Sequence, residues 1–144
     1  MVHHLVRLGE PNYDPVLAIR LTHLSPVQVA VRYVLDLANG DRTDLRALST
    51  PGRWLVWGRQ AATATAAVAT GGVDVRIEGM RTVVLNQTAT RAVVQVWDRY
   101  WLSGAGSADG EWQGVALYTL LWVAGAWRVD VVSGQQGWRL AGGS

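Results

Sequence analysis

The sequence predicts an α+β domain in which three helices precede a curved antiparallel sheet of about four long strands. Helix-start signals recur in the first half of the chain, where a serine, threonine or aspartate directly precedes a helical apolar pattern. In the second half, apolar and polar residues alternate along four segments, as they do in half-buried strands. Because the connections between these segments are short, neighbouring strands are expected to be antiparallel, with the helices packed on one face of the sheet.

The helices are predicted from their caps. The first begins at Ser25-Pro26 and ends at Asn39-Gly40, since serine accepts hydrogen bonds from first-turn amides and glycine tolerates the left-handed conformation. A short second helix is predicted over 41–48. A third is predicted over 51–70, after the start signal Ser49-Thr50-Pro51.

A polar stripe on the first helix carries Gln28, Arg32 and Asp36, each four residues apart. Residues at this spacing are neighbours on a helix surface. We interpret Arg32 and Asp36 as a surface ion pair, in preference to an acid and a base in a pocket.

The four strands are predicted at 73–86, 91–103, 112–123 and 126–133. Gly79 interrupts the alternation of the first strand and is expected to mark a bulge or a bend. The 144 residues then form one domain at 25–134, preceded by an arm at 1–24 and followed by a flexible tail at 135–144.

Composition and charge exclude several classes of function. There is no cysteine, so disulfides, thiol catalysis and thiolate metal sites are excluded. The thirteen basic residues are all arginine, the net charge is +2, and the arginines are scattered, so no nucleic-acid partner is expected. No signal peptide or membrane span is recognised, which predicts a cytoplasmic protein if the chain is complete. An upstream anchor, if one exists, would make the domain extracytoplasmic.

No metal or cofactor is expected. His3 and His4 are adjacent and would point to opposite sides of a strand, and no carboxylate has a matching spacing near them or His23. We interpret these histidines as part of an exposed arm.

One face of the strand over 91–103 is a candidate pocket wall. That face is apolar except at Asp98 and Tyr100, and burying a carboxylate is costly unless it is paired. As an enzyme, the domain would use Asp98 as an acid or base, with Tyr100, Tyr118 and Tyr33 as hydrogen-bonding groups. The favoured alternative is an aspartate near the pocket mouth that is satisfied by Arg128 or by water.

The opposite face of the same strand carries Trp97, Arg99 and Trp101. Guanidinium and indole groups at this spacing can stack, and both are enriched in protein interfaces. We interpret this face first as a protein interface, then as internal packing of the sheet, and last as a platform for single-stranded nucleic acid. A register shift of one residue would exchange the two faces.

The element order resembles the cystatin-like cone fold of the nuclear transport factor two-like superfamily. The resemblance rests on that order over 25–133 and on the closing run from Trp112 through Trp122 to Gly125-Ala126-Trp127-Arg128-Val129. The segment Leu48-Ser49-Thr50-Pro51 is similar to the one that precedes the third helix in many actinobacterial members. The resemblance implies a cone-shaped domain, and dimerisation through the outer sheet face is common in that superfamily.

Two functional hypotheses follow from these residues and the resemblance. The first is a non-enzymatic assembly domain that binds a protein partner or forms a homo-oligomer, expected to be a dimer, in a conjugative or envelope-associated complex. The alternative is a small cofactor-independent polyketide cyclase, isomerase or epoxide hydrolase, with Asp98 in the pocket.

Overall fold

The computed structural model of the chain describes residues 21 to 55 and 72 to 140. Two helices are complete within these ranges: α1 (Pro26–Asn39) and α2 (Arg42–Ala47). Residues 51 to 55 are also helical, as predicted for the start of a third helix. The rest of that helix and most of the predicted arm, including His3 and His4, lie outside the described residues. No helix within the described ranges is long and apolar enough to cross a bilayer.

Capping side chains begin the helices, and a glycine ends α1, where the sequence predicts. The Ser25 hydroxyl accepts from the Gln28 amide at 3.2 Å, and the Gln28 side chain accepts from the Ser25 amide at 2.8 Å, which satisfies two otherwise unpaired donors. Gly40 ends α1 with a φ of 69°, a left-handed conformation that suits glycine. Asp41 caps α2 by accepting from the Asp44 amide at 3.0 Å.

Four antiparallel strands form one sheet with the order β1-β2-β3-β4. They are β1 (Asp74–Gln87), β2 (Arg91–Ser103), β3 (Gly110–Val123) and β4 (Ala126–Arg139). The α+β class and the curved antiparallel sheet are therefore confirmed. The cone shape remains a prediction.

The strands confirm one prediction, the irregularity at Gly79, and contradict another, the end of the fourth strand. The pairing of β1 with β2 shifts register between Ile77 and Gly79, which confirms the irregularity expected at Gly79. The fourth strand, however, does not end at Ser133. It continues to Arg139, and residues 136 to 139 of the predicted flexible tail pair with β3.

Side chains hold this extension of β4 on both faces of the sheet. The Trp138 ring meets the Trp97 ring edge to face, with centroids 6.4 Å apart. The Arg139 guanidinium lies 5.4 Å from the centre of the Trp112 ring and also donates to the Ser107 carbonyl. The composition of the segment, rich in glycine and glutamine, concealed a strand whose backbone pairing does not depend on side-chain type.

The helices cover one face of the sheet, the inner face, which carries Ala92, Val94 and Val96. These side chains are buried against Val29, Ala30, Tyr33 and Val34 of α1 in one hydrophobic core. The opposite, outer face carries Val93, Gln95 and Trp97 of the same strand. The register of β2 thus agrees with the assignment of faces made from alternation alone.

A short segment between the helices ties the two layers together. The Thr50 amide donates to the Val129 carbonyl at 2.9 Å, and the Val129 amide donates to the Leu48 carbonyl at 2.7 Å. The Thr50 hydroxyl donates to Asp130 Oδ1 at 2.7 Å and accepts from the Arg53 amide at 3.1 Å. Thr50 therefore caps the helical turn at 51 to 55 and anchors it to β4.

The predicted Arg32–Asp36 surface ion pair is wrong. Arg32 instead makes a two-pronged salt bridge with Asp44 of α2, at 2.7 and 2.8 Å. Asp36 is only 6% exposed, and its Oδ2 has no hydrogen-bond partner among the described residues. Helical spacing alone could not show that α2 folds back and supplies the closer carboxylate.

Candidate functional site

A cavity of about 520 Å³ lies between α1 and the inner face of the sheet. Its walls are mostly aliphatic: Val34, Leu37 and Ala38 of α1 face Val75, Ile77 and Val96 of the sheet. The polar side chains in the described wall are Asp98, Tyr100, Tyr118, Gln135 and Gln136. A concave, largely apolar space with a few polar groups is the usual form of a small-molecule site.

Asp98 and Gly114 are directly opposite each other on β2 and β3. A Cβ atom placed on Gly114 would lie 2.5 Å from Asp98 Oδ1, much closer than carbon and oxygen atoms approach without a bond. Gly114 is therefore the residue that leaves room for the carboxylate on the inner face. A lone glycine inside a strand often marks such a close approach.

The Asp98 carboxylate is partly buried, and in the part of the chain that the structure describes no cation lies beside it. None of the ion pairs among the described residues involves Asp98. Burial raises the pKa of Asp98, and a hydrogen bond from its own backbone opposes this rise. Arg128, which the sequence suggested as a partner, donates elsewhere: to the Val123 carbonyl at 3.0 Å and the Ala47 carbonyl at 2.5 Å.

The predicted tyrosines occupy two positions relative to the cavity. Tyr100 and Tyr118 line it with Asp98. Burial raises the pKa of both hydroxyls, and the Asp98 charge raises both further, so each is close enough to respond to that charge.

Tyr33 lies behind this wall and does not line the cavity. Its ring meets Tyr118 edge to face at 5.9 Å, and its hydroxyl accepts from Arg53 Nε at 2.9 Å. Burial raises the pKa of Tyr33, while Arg53 lowers it. Tyr33 therefore positions Tyr118 and fixes Arg53 in the core.

The predicted tryptophan and arginine face lies on the outer side of the sheet, as alternation indicated. Trp97 is half-buried between Trp138 and Arg81, whose guanidinium is 5.2 Å from the Trp97 ring centre. Arg99 donates to Glu111 at 3.0 Å. Two members of the predicted interface thus make contacts inside the domain.

Exposed apolar side chains remain on this outer face. Trp101 is 36% exposed and Trp138 is 41% exposed. A groove of about 470 Å³ has Trp138 in its wall, together with Trp97, Arg81 and Arg99. The observed outer surface therefore includes Trp138, which the sequence placed in a flexible tail.

The cavity residues that sequence reasoning did not single out include Gly114, Gln135 and Gln136. Gly114 carried a usable signal, because it is a single glycine on the strand face that otherwise carries Trp112, Ala116 and Tyr118. The two glutamines carried none, since their position depends on the extension of β4.

No group of three or more potential metal-binding side chains occurs in the part of the chain that the structure describes. The sequence matches no known family and no curated protein to a significant degree. The function proposed below is therefore inferred from the residues of the site and their geometry.

Proposed function

We propose that the domain binds a small, largely apolar molecule in the inner cavity, with Asp98 as the polar anchor. The observation that carries this proposal is the pairing of Asp98 with Gly114. A glycine gives space to a carboxylate whose burial is unfavourable and which has no cation beside it among the described residues. Stability alone does not favour this arrangement, whereas a ligand that contacts the carboxylate offsets its cost.

The cavity has the size and lining that such a ligand needs. About 520 Å³ falls in the range of small-molecule sites, and aliphatic side chains of α1, β1 and β2 provide most of its surface. Asp98, Tyr100 and Tyr118 are the groups that would orient the bound molecule.

Titration with 1-octanol, followed by backbone amide shifts in NMR spectra, tests this proposal. We expect shifts concentrated on cavity residues. Ala116→Leu should weaken binding because it adds bulk to the cavity wall, whereas Thr119→Leu adds similar bulk to the outer face and should not. Shifts that are spread over the surface, or that persist unchanged in Ala116→Leu, would reject the cavity as the site.

The same geometry supports an enzymatic form of this proposal, in which Asp98 accepts a proton from the bound molecule. The raised pKa of Asp98 favours such a role, since a general base works best when its pKa is nearer the working pH. Once a substrate is found, Asp98→Asn should reduce its turnover at least about 100-fold. Unchanged turnover would leave Asp98 as an anchor only.

As a second candidate we propose that the outer face binds a second copy of the chain, which would make the domain an assembly module. Exposed Trp101 and Trp138, with Val83 and Val131 at 43% and 45% exposure, favour this candidate. Arg81, Arg99 and Glu111 place charges of both signs on the same face, which suits a self-complementary contact.

Sedimentation of the purified chain tests the second candidate. We expect a dimer that the double variant Trp101→Ala, Trp138→Ala converts to monomer. Trp122→Ala is the matched control, because Trp122 is equally exposed, at 42%, but belongs to the opposite side of the sheet. A monomeric unaltered chain, or a dimer that survives the double substitution, would exclude this contact.

A further inference from the structure

The described wall of the inner cavity carries an acidic side chain and no basic one. Asp98 is the carboxylic side chain in its described wall, and no described arginine or histidine lines it. The remaining polar groups are two tyrosine hydroxyls and two glutamine amides, none of which carries a positive charge. A ligand that brings its own positive charge would give the carboxylate the counterion that the described residues do not supply.

We propose that the cavity selects lipophilic amines, molecules with a protonated amino group on an apolar body. This inference rests on the proposed function and names the ligand class for the same site. The ammonium group would contact Asp98, and the apolar body would lie against the aliphatic side chains of α1 and β1.

Two features of the wall support a cation over a neutral or an anionic ligand. Tyr100 and Tyr118 flank the carboxylate, and aromatic rings attract cations that lie over their faces. Anions, by contrast, would meet the Asp98 charge in a partly dehydrated space whose described wall offers no compensating cation. The order of affinity expected for one apolar body is therefore ammonium, then hydroxyl, then carboxylate.

The affinity of the cavity for amines should depend on pH, because the Asp98 carboxylate that contacts the ammonium group is titratable. Among the described residues, the charged and titratable groups near the carboxylate are Tyr100 and Tyr118, with Tyr33 and Arg53 behind them. Both wall tyrosines have a raised pKa and stay neutral at neutral pH, so Asp98 is the group that titrates with the ligand. Amine affinity should fall as pH falls through the raised Asp98 pKa, and binding near that pH should release a proton.

Calorimetric titration with octylamine, 1-octanol and octanoate at pH 7 tests the inference with one constant apolar body. We expect octylamine to bind about tenfold more tightly than octanol, and octanoate more weakly than either. Asp98→Asn should remove the preference for the amine while octanol binding persists. Asp74→Asn is the control, because it removes an exposed carboxylate from β1 and should leave the preference intact.

The outcomes distinguish failure of the amine inference from failure of the cavity proposal. Equal binding of octylamine and octanol, or an amine preference that survives in Asp98→Asn, would overturn the amine inference while the cavity proposal stands. Failure of all three molecules to bind would reject the cavity proposal and the inference together. If Asp98→Asn does not fold, loss of the amine preference in the intact chain at low pH, with proton release at intermediate pH, supplies the same discrimination.

Discussion

At the scale of single residues, the contact between Gly114 and Asp98 leads to the sharpest prediction. Gly114→Ala places a methyl group 2.5 Å from Asp98 Oδ1, so the carboxylate or the strand must move. We expect a loss of about 1 to 3 kcal/mol in the free energy of unfolding, together with weaker ligand binding. Urea unfolding monitored by tryptophan fluorescence measures the first effect.

Gly137→Ala is the matched control for this substitution. Gly137 pairs with Gly114 on the next strand, and a Cβ there would meet its nearest neighbour at an ordinary 3.7 Å. The double variant Asp98→Ala, Gly114→Ala should recover most of the lost stability, because the clash disappears. Equal stability losses for Gly114→Ala and Gly137→Ala would contradict the close contact.

Asp36 leads to a second prediction at the residue scale. Burial, followed by the neighbouring Asp44, raises the pKa of Asp36 from 3.8 to about 11, and Arg32 opposes this only partly. A carboxyl with a raised pKa contributes stability that is complete below pH 3.8 and is lost as pH rises towards 11. We therefore expect Asp36→Asn to stabilise the domain at pH 8 by about 2 kcal/mol, with little effect at pH 3.

Thermal and urea unfolding across pH 3 to 8 measure this pH dependence. Asp44→Asn provides the opposite case, because the pKa of Asp44 is lowered and its salt bridge with Arg32 would be lost. That variant should be less stable at neutral pH, and its deficit should shrink as pH falls below 3.8. If the gap between Asp36→Asn and the unaltered chain did not widen with pH, Asp36 would not be a buried neutral acid.

At the scale of secondary-structure elements, the anchor at Thr50 can be tested. Thr50→Val keeps the shape of the side chain but removes the hydroxyl that caps the turn at 51 to 55 and bonds to Asp130. We expect a cost of about 1 to 2 kcal/mol in the free energy of unfolding. Thr50→Ser should retain most of the stability, and Thr43→Val, at an exposed position in α2, should change little. Equal stability of Thr50→Val and the unaltered chain would show that the anchor is dispensable.

The sequence correctly predicted those elements whose ends or faces are determined by residues within or next to the element itself. Ser25, Gly40 and Asp41 act on their own helix ends, and the alternation in β2 reports directly which side faces the core. The course of β4 beyond Ser133 has no such local cause. Its pairing depends on the free edge of β3, which no pattern within residues 134 to 139 could indicate.

At the scale of the whole molecule, the contacts of α1 with β1, β2 and β4 predict a single cooperative unit. Native-state hydrogen exchange should give the same opening free energy for the central amides of α1, such as Val34, and those of β2, such as Val94. An opening of α1 that costs less than that of β2 by more than about 1 kcal/mol would show that the helix layer unfolds separately.

The candidate site belongs to this larger scale and was predictable only in part. The side of β2 that carries Asp98 and Tyr100 followed from alternation, and Tyr118, which the sequence analysis grouped with them, lines the same cavity. The pairing of Asp98 with Gly114 required the register between two strands, and the placement of Tyr33 behind Tyr118 required the packing of α1 on the sheet. Such contacts join residues of different elements, so the sequence of a single segment could not indicate them.

The sheet order β1-β2-β3-β4 has a consequence for how the chain folds. Each strand pairs with its nearest neighbour in sequence, so three hairpins can close over short loops at a small entropic cost. The bonds from Leu48 and Thr50 to β4 close a much longer loop, since Thr50 and Asp130 are 80 residues apart. We expect the hairpins to nucleate folding and this closure to come late, so that substitutions at Thr50 accelerate unfolding far more than they slow refolding.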